Sequence, residues 1–255
     1  MRTIDLNCDM GEGFGAWSIG DDAAMLDIAT TANIACGFHA GDPVVMRRTI
    51  GLARERGVAI GAHPSFADLP GFGRRRITGE RPEDLETQII YQILSLGALA
   101  RLDGHPLTHV KLHGALSNMA AEDAALAETC VRAVRAADPG LIFVALPYSE
   151  SWTAAERAGL TLACEVFADR TYAPDGRLMP RSAPGSVIHD AAQSCEHVLE
   201  MVVNRRIPTV GGAPLEVEPD TICVHGDTPG AVTMARLLRR ALEAEGVSLA
   251  PFARR

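Results

Sequence analysis

The chain has 255 residues, 47% hydrophobic and only 5% aromatic, with a formal net charge of −8. That balance argues against a nucleic-acid footprint, which needs a basic patch, and no run of 18 apolar residues offers a membrane span. The first residues lack the basic and apolar regions of a secretory signal, so the expected location is the cytoplasm.

The hydrophobic fraction suffices for a full core, built from Ala, Val, Ile and Leu rather than aromatic rings. Small aliphatic side chains of this kind suit helices packed closely on strands. Six cysteines (Cys8, Cys36, Cys130, Cys164, Cys195 and Cys223) stand apart with no CxxC pair. In a reducing compartment they read as free thiols, four of them in strand-like runs.

Seven short apolar runs alternate with helical patterns. The strands are expected at 3–8, 31–36, 58–62, 108–112, 141–146, 162–167 and 221–224. After the second, Asp42-Pro43 opens a helix, with Asp as N-cap and Pro at the first turn, and Gly57 stops it. The longest helix, 81–102, carries Leu85, Ile89, Ile93, Leu96 and Ala100 at helical spacing, with Gly104 beyond. Further helices are expected at 121–137, 150–158, 189–204 and 229–244. No linker divides the chain, so 1–255 reads as a single domain with a parallel sheet.

The strand faces are unequal. Ile4, Leu6 and Cys8 oppose Asp5, Asn7 and Asp9; Val58, Ile60 and Ala62 oppose Ala59, Gly61 and His63; Ile222 and Val224 oppose Cys223 and His225. An open sheet buried on both sides would be apolar on both. A closed barrel fits better, with its outer face on helices and its inner face opening into a pocket at the strand C-termini. The expected fold is therefore an α/β, irregular seven-stranded β/α barrel, TIM-like in plan.

Chemistry in such a barrel sits at the C-terminal strand ends. Asp5, Asn7 and Asp9 share the inner face, where two carboxylates require a metal, a cation or a shared proton. Asp9 also fits an Asx turn ahead of Gly11, with Glu12 next in the loop. The second strand leads to His39, between Gly37 and Gly41. His63 ends the third, and the following Gly71-Phe72-Gly73-Arg74-Arg75-Arg76 loop combines glycines with arginines that suit phosphate or carboxylate. It also reads as a solvated basic turn.

His109, Lys111 and His113 share the inner face of strand four. A buried Lys needs an anionic partner, for which Asp5, Asp9 or a ligand phosphate are the candidates. Glu165 and Asp169 share one parity in strand six, with Arg170 next. His225 leads into Asp227-Thr228-Pro229, a helix opening that favours an anion, although Asp227 also fits a simple N-cap. The GxxxxGK[ST] spacing of a P-loop is absent.

Taken in order, DLNCDMGEGFG, ANIACGFHAGDP, GAHPSF with GFGRR, THVKLHGAL, EVFADRTY and CVHGDTPGAV resemble the LamB/YcsF family, the group of 5-oxoprolinase A subunits, over most of the chain. The resemblance implies a barrel similar to sugar deacetylase and glycoside hydrolase barrels. It implies ATP-dependent opening of 5-oxo-L-proline to L-glutamate, with partner subunits B and C. Two positions depart from the family pattern: Leu112 stands where Pro is expected and Ser117 where Tyr is expected. Both bear on substrate contacts rather than on reaction class.

Under this implication Asp9, Glu12, His63, Lys111, His113 and Asp169 are the catalytic candidates. Asn7, His39, Arg74, Arg75, Glu165, Arg170, His225 and Thr228 are candidates for substrate or phosphate binding. Asp9 and Glu12 would hold Mg²⁺ with ATP, and His63 or His113 would act as general base. Two other readings use the same residues. One is a metal-dependent amidohydrolase or deacetylase, with Zn²⁺ on the inner carboxylates and His39, His63 and His113. The other is a subunit that only binds substrate for its partners.

Overall fold

In the structure, a computed structural model, residues 2–226 and 230–252 are described. The elements are β1 (Thr3–Met10), α1 (Asp22–Leu26), β2 (Thr31–Ala35), α2 (Pro43–Glu55), β3 (Ala59–His63), α3 (Pro82–Leu102), β4 (His109–Lys111), α4 (Gly114–Glu122), α5 (Ala124–Ala137), β5 (Ile142–Ala145), α6 (Glu150–Arg157), β6 (Leu162–Phe167), α7 (Ala191–Val202), β7 (Arg206–Ile207), β8 (Leu215–Glu216), β9 (Thr221–Val224), α8 (Ala231–Ala244) and β10 (Ser248–Leu249).

Strands β1 to β6 pair in chain order, β6 pairs with β9, and β9 closes back on β1, every pairing parallel. The expected seven-stranded barrel is therefore closed. The two-residue β10 pairs with β1 only at Thr3 and Ile4, below the ring proper. β7 and β8 form a separate antiparallel hairpin.

The outer face follows the predicted parity. Ile4, Leu6, Cys8, Ile60, Ala62 and Ile222 are buried in one cluster with Ile50, Ile89, Ile93 and Leu96 of the surrounding helices. Each Leu or Ile so buried contributes about 1.5–3 kcal/mol. The inner face is filled by polar packing. The His109 ring crosses the barrel against β3, where a Cβ on Gly61 would lie 2.2 Å from it, so this strand position must be glycine. Below, Phe252 packs on Ile142, Val144 and Ala163 and edge-on to His109.

Two helical expectations are corrected. The 121–137 segment is the end of α4 followed by α5, broken at Asp123, whose backbone is extended and whose side chain caps the amides of Ala125 and Leu126. The front of α4 is concealed in sequence by Gly114, which takes φ +57 immediately after His113. The five-residue α1 and the two-residue strands carry too little periodicity to be read. Asp42 caps α2 and Pro43 opens it, as its sequence predicts. Asp227 and Thr228 lie outside the described residues.

Candidate active site

Beneath the mouth of the barrel lies an ion-pair network. Lys111 Nζ stands 2.8 Å from Glu165 Oε1 and 3.0 Å from Asp9 Oδ1. It also donates to Asn7 Oδ1 at 3.2 Å, and its ammonium lies 5.3 Å above the Phe167 ring. Burial works against a charged ammonium here, but Asp9 and Glu165 outweigh it and hold the Lys111 pKa well above its ordinary value. Burial likewise pushes the Asp9 carboxyl up, and His63 and Lys111 more than reverse this, holding it well below the carboxylate range.

Asp5, the other candidate partner of Lys111, is occupied elsewhere. It lies at the barrel floor and accepts from the hydroxyls of Thr30, Thr31 and Thr221. Burial raises its pKa to about 6. The two inner carboxylates of β1 thus settle their repulsion differently: Asp9 with a cation, Asp5 with a readily held proton. Asn33 of β2 ties the layer together, donating to Asn7 Oδ1 and Asp9 Oδ1 and accepting from His109 Nε2. Burial, then Lys111, lowers the His109 pKa to about 3, so this ring is a neutral core strut.

Next to this network three imidazoles gather at the ends of β2, β3 and β4. His63 Nδ1 donates to the Lys111 carbonyl at 2.7 Å, and His113 Nε2 donates to the Phe72 carbonyl at 2.9 Å. The remaining nitrogens, His63 Nε2 and His113 Nδ1, face each other at 3.0 Å. His39 stacks parallel on His113 with ring centroids 3.8 Å apart. Asp9 Oδ2 lies 3.3 Å from His63 Nε2, and Glu12 Oε1 lies 3.8 Å from both His39 Nε2 and His113 Nδ1. Burial lowers the pKa of both His39 and His113 far below the usual value.

The glycine-rich loop after β3 seals this cluster. A Cβ on Gly73 would fall 2.3 Å from Ser65 Oγ, 2.8 Å from the His113 ring and 2.9 Å from His39. Phe72, at φ +54, meets both His39 and His113 edge-on.

On the far side, His225 Nδ1 bonds both oxygens of Asp169 at 2.8 Å, and its Nε2 accepts from Arg181 at 3.1 Å. Burial raises the Asp169 pKa, but His225 reverses it and leaves this carboxyl low. Arg170 is buried and donates to the carbonyls of Met179 and Ser186, anchoring the loop that carries Arg177 and Arg181 over the mouth. Burial, then Arg181, lowers its pKa to about 10.

A cavity of about 510 Å³ opens above these groups. Of the predicted residues, Asp9, Glu12, His63, Lys111, His113, Arg74, Arg170 and His225 line it. Asn7, His39, Glu165 and Asp169 support those from behind. Arg75 is directed elsewhere: its guanidinium pairs with the buried Asp68 and braces the loop, while Arg74 and Arg76 reach the cavity. Arg177 and Arg181 line it too, although their loop offers no sequence signal beyond its charge. Leu112 and Ser117, the two departures, are both in the wall.

The two carboxylates expected to hold Mg²⁺, Asp9 and Glu12, each face basic side chains. Asp9 is engaged by Lys111, Asn33 and His63, and Glu12 Oε1 has two histidine nitrogens at 3.8 Å. The donor set around Glu12 is imidazole-rich.

The sequence matches the LamB/YcsF family over residues 4–255. It is 55% identical over 250 residues to a 5-oxoprolinase A subunit of Rhodopseudomonas palustris, covering 98% of each chain. It is 51% identical to a 5-oxoprolinase A subunit of Geobacillus kaustophilus, covering 98% of this chain and 96% of that one. The crystal structure of a lactam utilization protein from Thermus thermophilus superposes with a TM-score of 0.93 at 41% identity, covering 98% of this chain and all of that one. The chain belongs to the LamB/YcsF family.

Proposed function

We propose that the chain is the A subunit of an ATP-dependent 5-oxoprolinase, opening 5-oxo-L-proline to L-glutamate together with subunits B and C. Full-length similarity to 5-oxoprolinase A subunits carries this reading. The cavity chemistry supports it separately. Its volume falls in the usual range for small-molecule sites, and Arg74, Arg76, Arg177 and Arg181 on its wall suit a substrate carboxylate and nucleotide phosphates.

A lactam amide resists direct hydrolysis. In the proposed reaction its oxygen attacks the γ-phosphorus of ATP, and ADP leaves. Water then adds to the activated ring carbon, the C–N bond breaks, and the amine takes up a proton. A second water attacks the carbonyl carbon of the resulting acyl phosphate and expels phosphate. Lys111 and the arginines counter the charge that develops on the transferring group. Water activation falls to the His63 and His113 pair, since His63 is aligned by the Lys111 carbonyl and His113 by that of Phe72. Magnesium, in this reading, enters on the nucleotide phosphates.

The test is glutamate release from 5-oxoproline by the purified chain, with and without B and C, and with and without ATP. Release only with ATP and all three subunits is expected. Release by the lone chain without nucleotide would instead favour a simple amidohydrolase.

A further inference from the structure

The histidine cluster carries more than proton handling requires. Two of its rings have their tautomers fixed by backbone carbonyls, each leaving the second nitrogen turned toward the other at 3.0 Å. With one N–H already spent on a carbonyl, each neutral ring offers only a lone pair to the other. Something positive must lie between them: a shared proton or a cation. His39 adds an independent observation. It is fully buried, yet among the described residues neither of its ring nitrogens finds a hydrogen-bond partner. A buried polar group without a partner is costly, and such groups mark bound water or ions.

We propose that Glu12, His63 and His113, with His39 beside them, form a site for one divalent transition-metal ion of the zinc type. One ligand atom from each of the four lies within 4.8 Å of the others. Around a tetrahedral ion with imidazole and carboxylate ligands, donor atoms stand about 3.3 Å apart. The observed spacings, 3.0 Å between His63 and His113 and 3.8 Å from Glu12 to each of His113 and His39, bracket that value.

The carbonyl bonds to His63 Nδ1 and His113 Nε2 are the outer contacts that orient metal-bound imidazoles. His39 lies parallel to His113, so its nitrogen enters the coordination sphere only by tilting off that stack; the other three are the primary donors. Imidazole-rich donors select Zn²⁺ or Co²⁺ over Mg²⁺. Because Glu12, His63 and His113 border the cavity, an ion here retains an open position toward it, where it would polarise a bound oxygen.

This site does not depend on the ATP reaction, and its test uses the lone, full-length chain without nucleotide, so either can fail alone. The chelator-treated protein is titrated with Zn²⁺ by calorimetry and with Co²⁺ by visible absorption. One equivalent of Zn²⁺ and a tetrahedral Co²⁺ band are expected. His63→Gln and His113→Gln should each weaken binding by about 10–100-fold, with circular dichroism verifying that the variants remain folded. Absence of saturable binding to the wild-type chain would overturn the proposal, as would unchanged affinity in both folded variants.

Discussion

Lys111 Nζ lies 2.8 Å from Glu165 Oε1, across the barrel interior from β4 to β6, and the pair is almost fully shielded from water. Removing one partner of such a pair leaves a buried charge uncompensated, at a cost of about 3–5 kcal/mol. Lys111→Met should therefore lower stability by that order in chemical denaturation and reduce glutamate release by the reconstituted complex roughly 100-fold or more. Adding Glu165→Gln should recover part of the stability but none of the activity. Recovery of both would reduce Lys111 to a structural ion pair.

Asp5 gives the barrel floor a pH dependence of known sign. Its carboxyl titrates near 3.8 when unfolded and at about 6 in the folded chain. Stability is therefore greatest below pH 3.8 as far as this group is concerned. It declines as pH rises, because the unfolded chain releases a proton that the folded chain retains, and the loss is complete above about pH 6. The magnitude is on the order of 3 kcal/mol. Asp5→Asn removes this term, so the stability difference between variant and wild type should shift in the variant's favour by that order between about pH 3.5 and 7.5. Urea denaturation at the two pH values measures it.

Gly73 is held at φ +65 with three side chains against the place where a Cβ would be, whereas Gly79, at φ +86, has open space around it. Gly79→Ala should cost only the left-handed backbone term, about 1–2 kcal/mol. Gly73→Ala should cost a further 1–3 kcal/mol, roughly, for crowding, and should displace His113. Thermal unfolding and activity of the complex should separate the two: both variants destabilised, only Gly73→Ala inactive.

Arg181 reaches the cavity with its guanidinium on His225 Nε2. If it binds an anionic part of the substrate or nucleotide, Arg181→Ala should raise KM for one of them by about 10-fold or more while leaving global stability within about 0.5 kcal/mol, because its side chain is not part of the buried network. Steady-state kinetics varying 5-oxoproline and ATP separately identifies which.

The barrel was legible because its strands are unequal on their two faces. Ile4, Leu6 and Cys8 against Asp5, Asn7 and Asp9 could be read directly, and the same parity placed Lys111 and Glu165 inside. Parity alone does not pair them: that Lys111 meets Asp9 and Glu165 rather than Asp5 depends on β4 and β6 flanking β5 in the ring and on depth along the axis. Arg74 and Arg75 are neighbours of the same type, and only the fold of the loop sends one to the cavity and the other to Asp68. The zinc reading grouped His39 with His63 and His113, but the stacking of His39 on His113 was hidden because His39 stands beyond the end of its strand, where a left-handed Gly37 breaks the alternation. The α4 helix was hidden for the same kind of reason, behind Gly114.

The central claim is that ATP phosphorylates the lactam oxygen, which then leaves with that phosphate when water attacks the carbonyl carbon. It is tested most directly by supplying 5-oxoproline labelled with ¹⁸O at the ring carbonyl to the complete complex and locating the label. The account predicts one ¹⁸O in each phosphate released, because the lactam oxygen leaves on phosphorus. Label retained wholly in glutamate, with unlabelled phosphate, would contradict it.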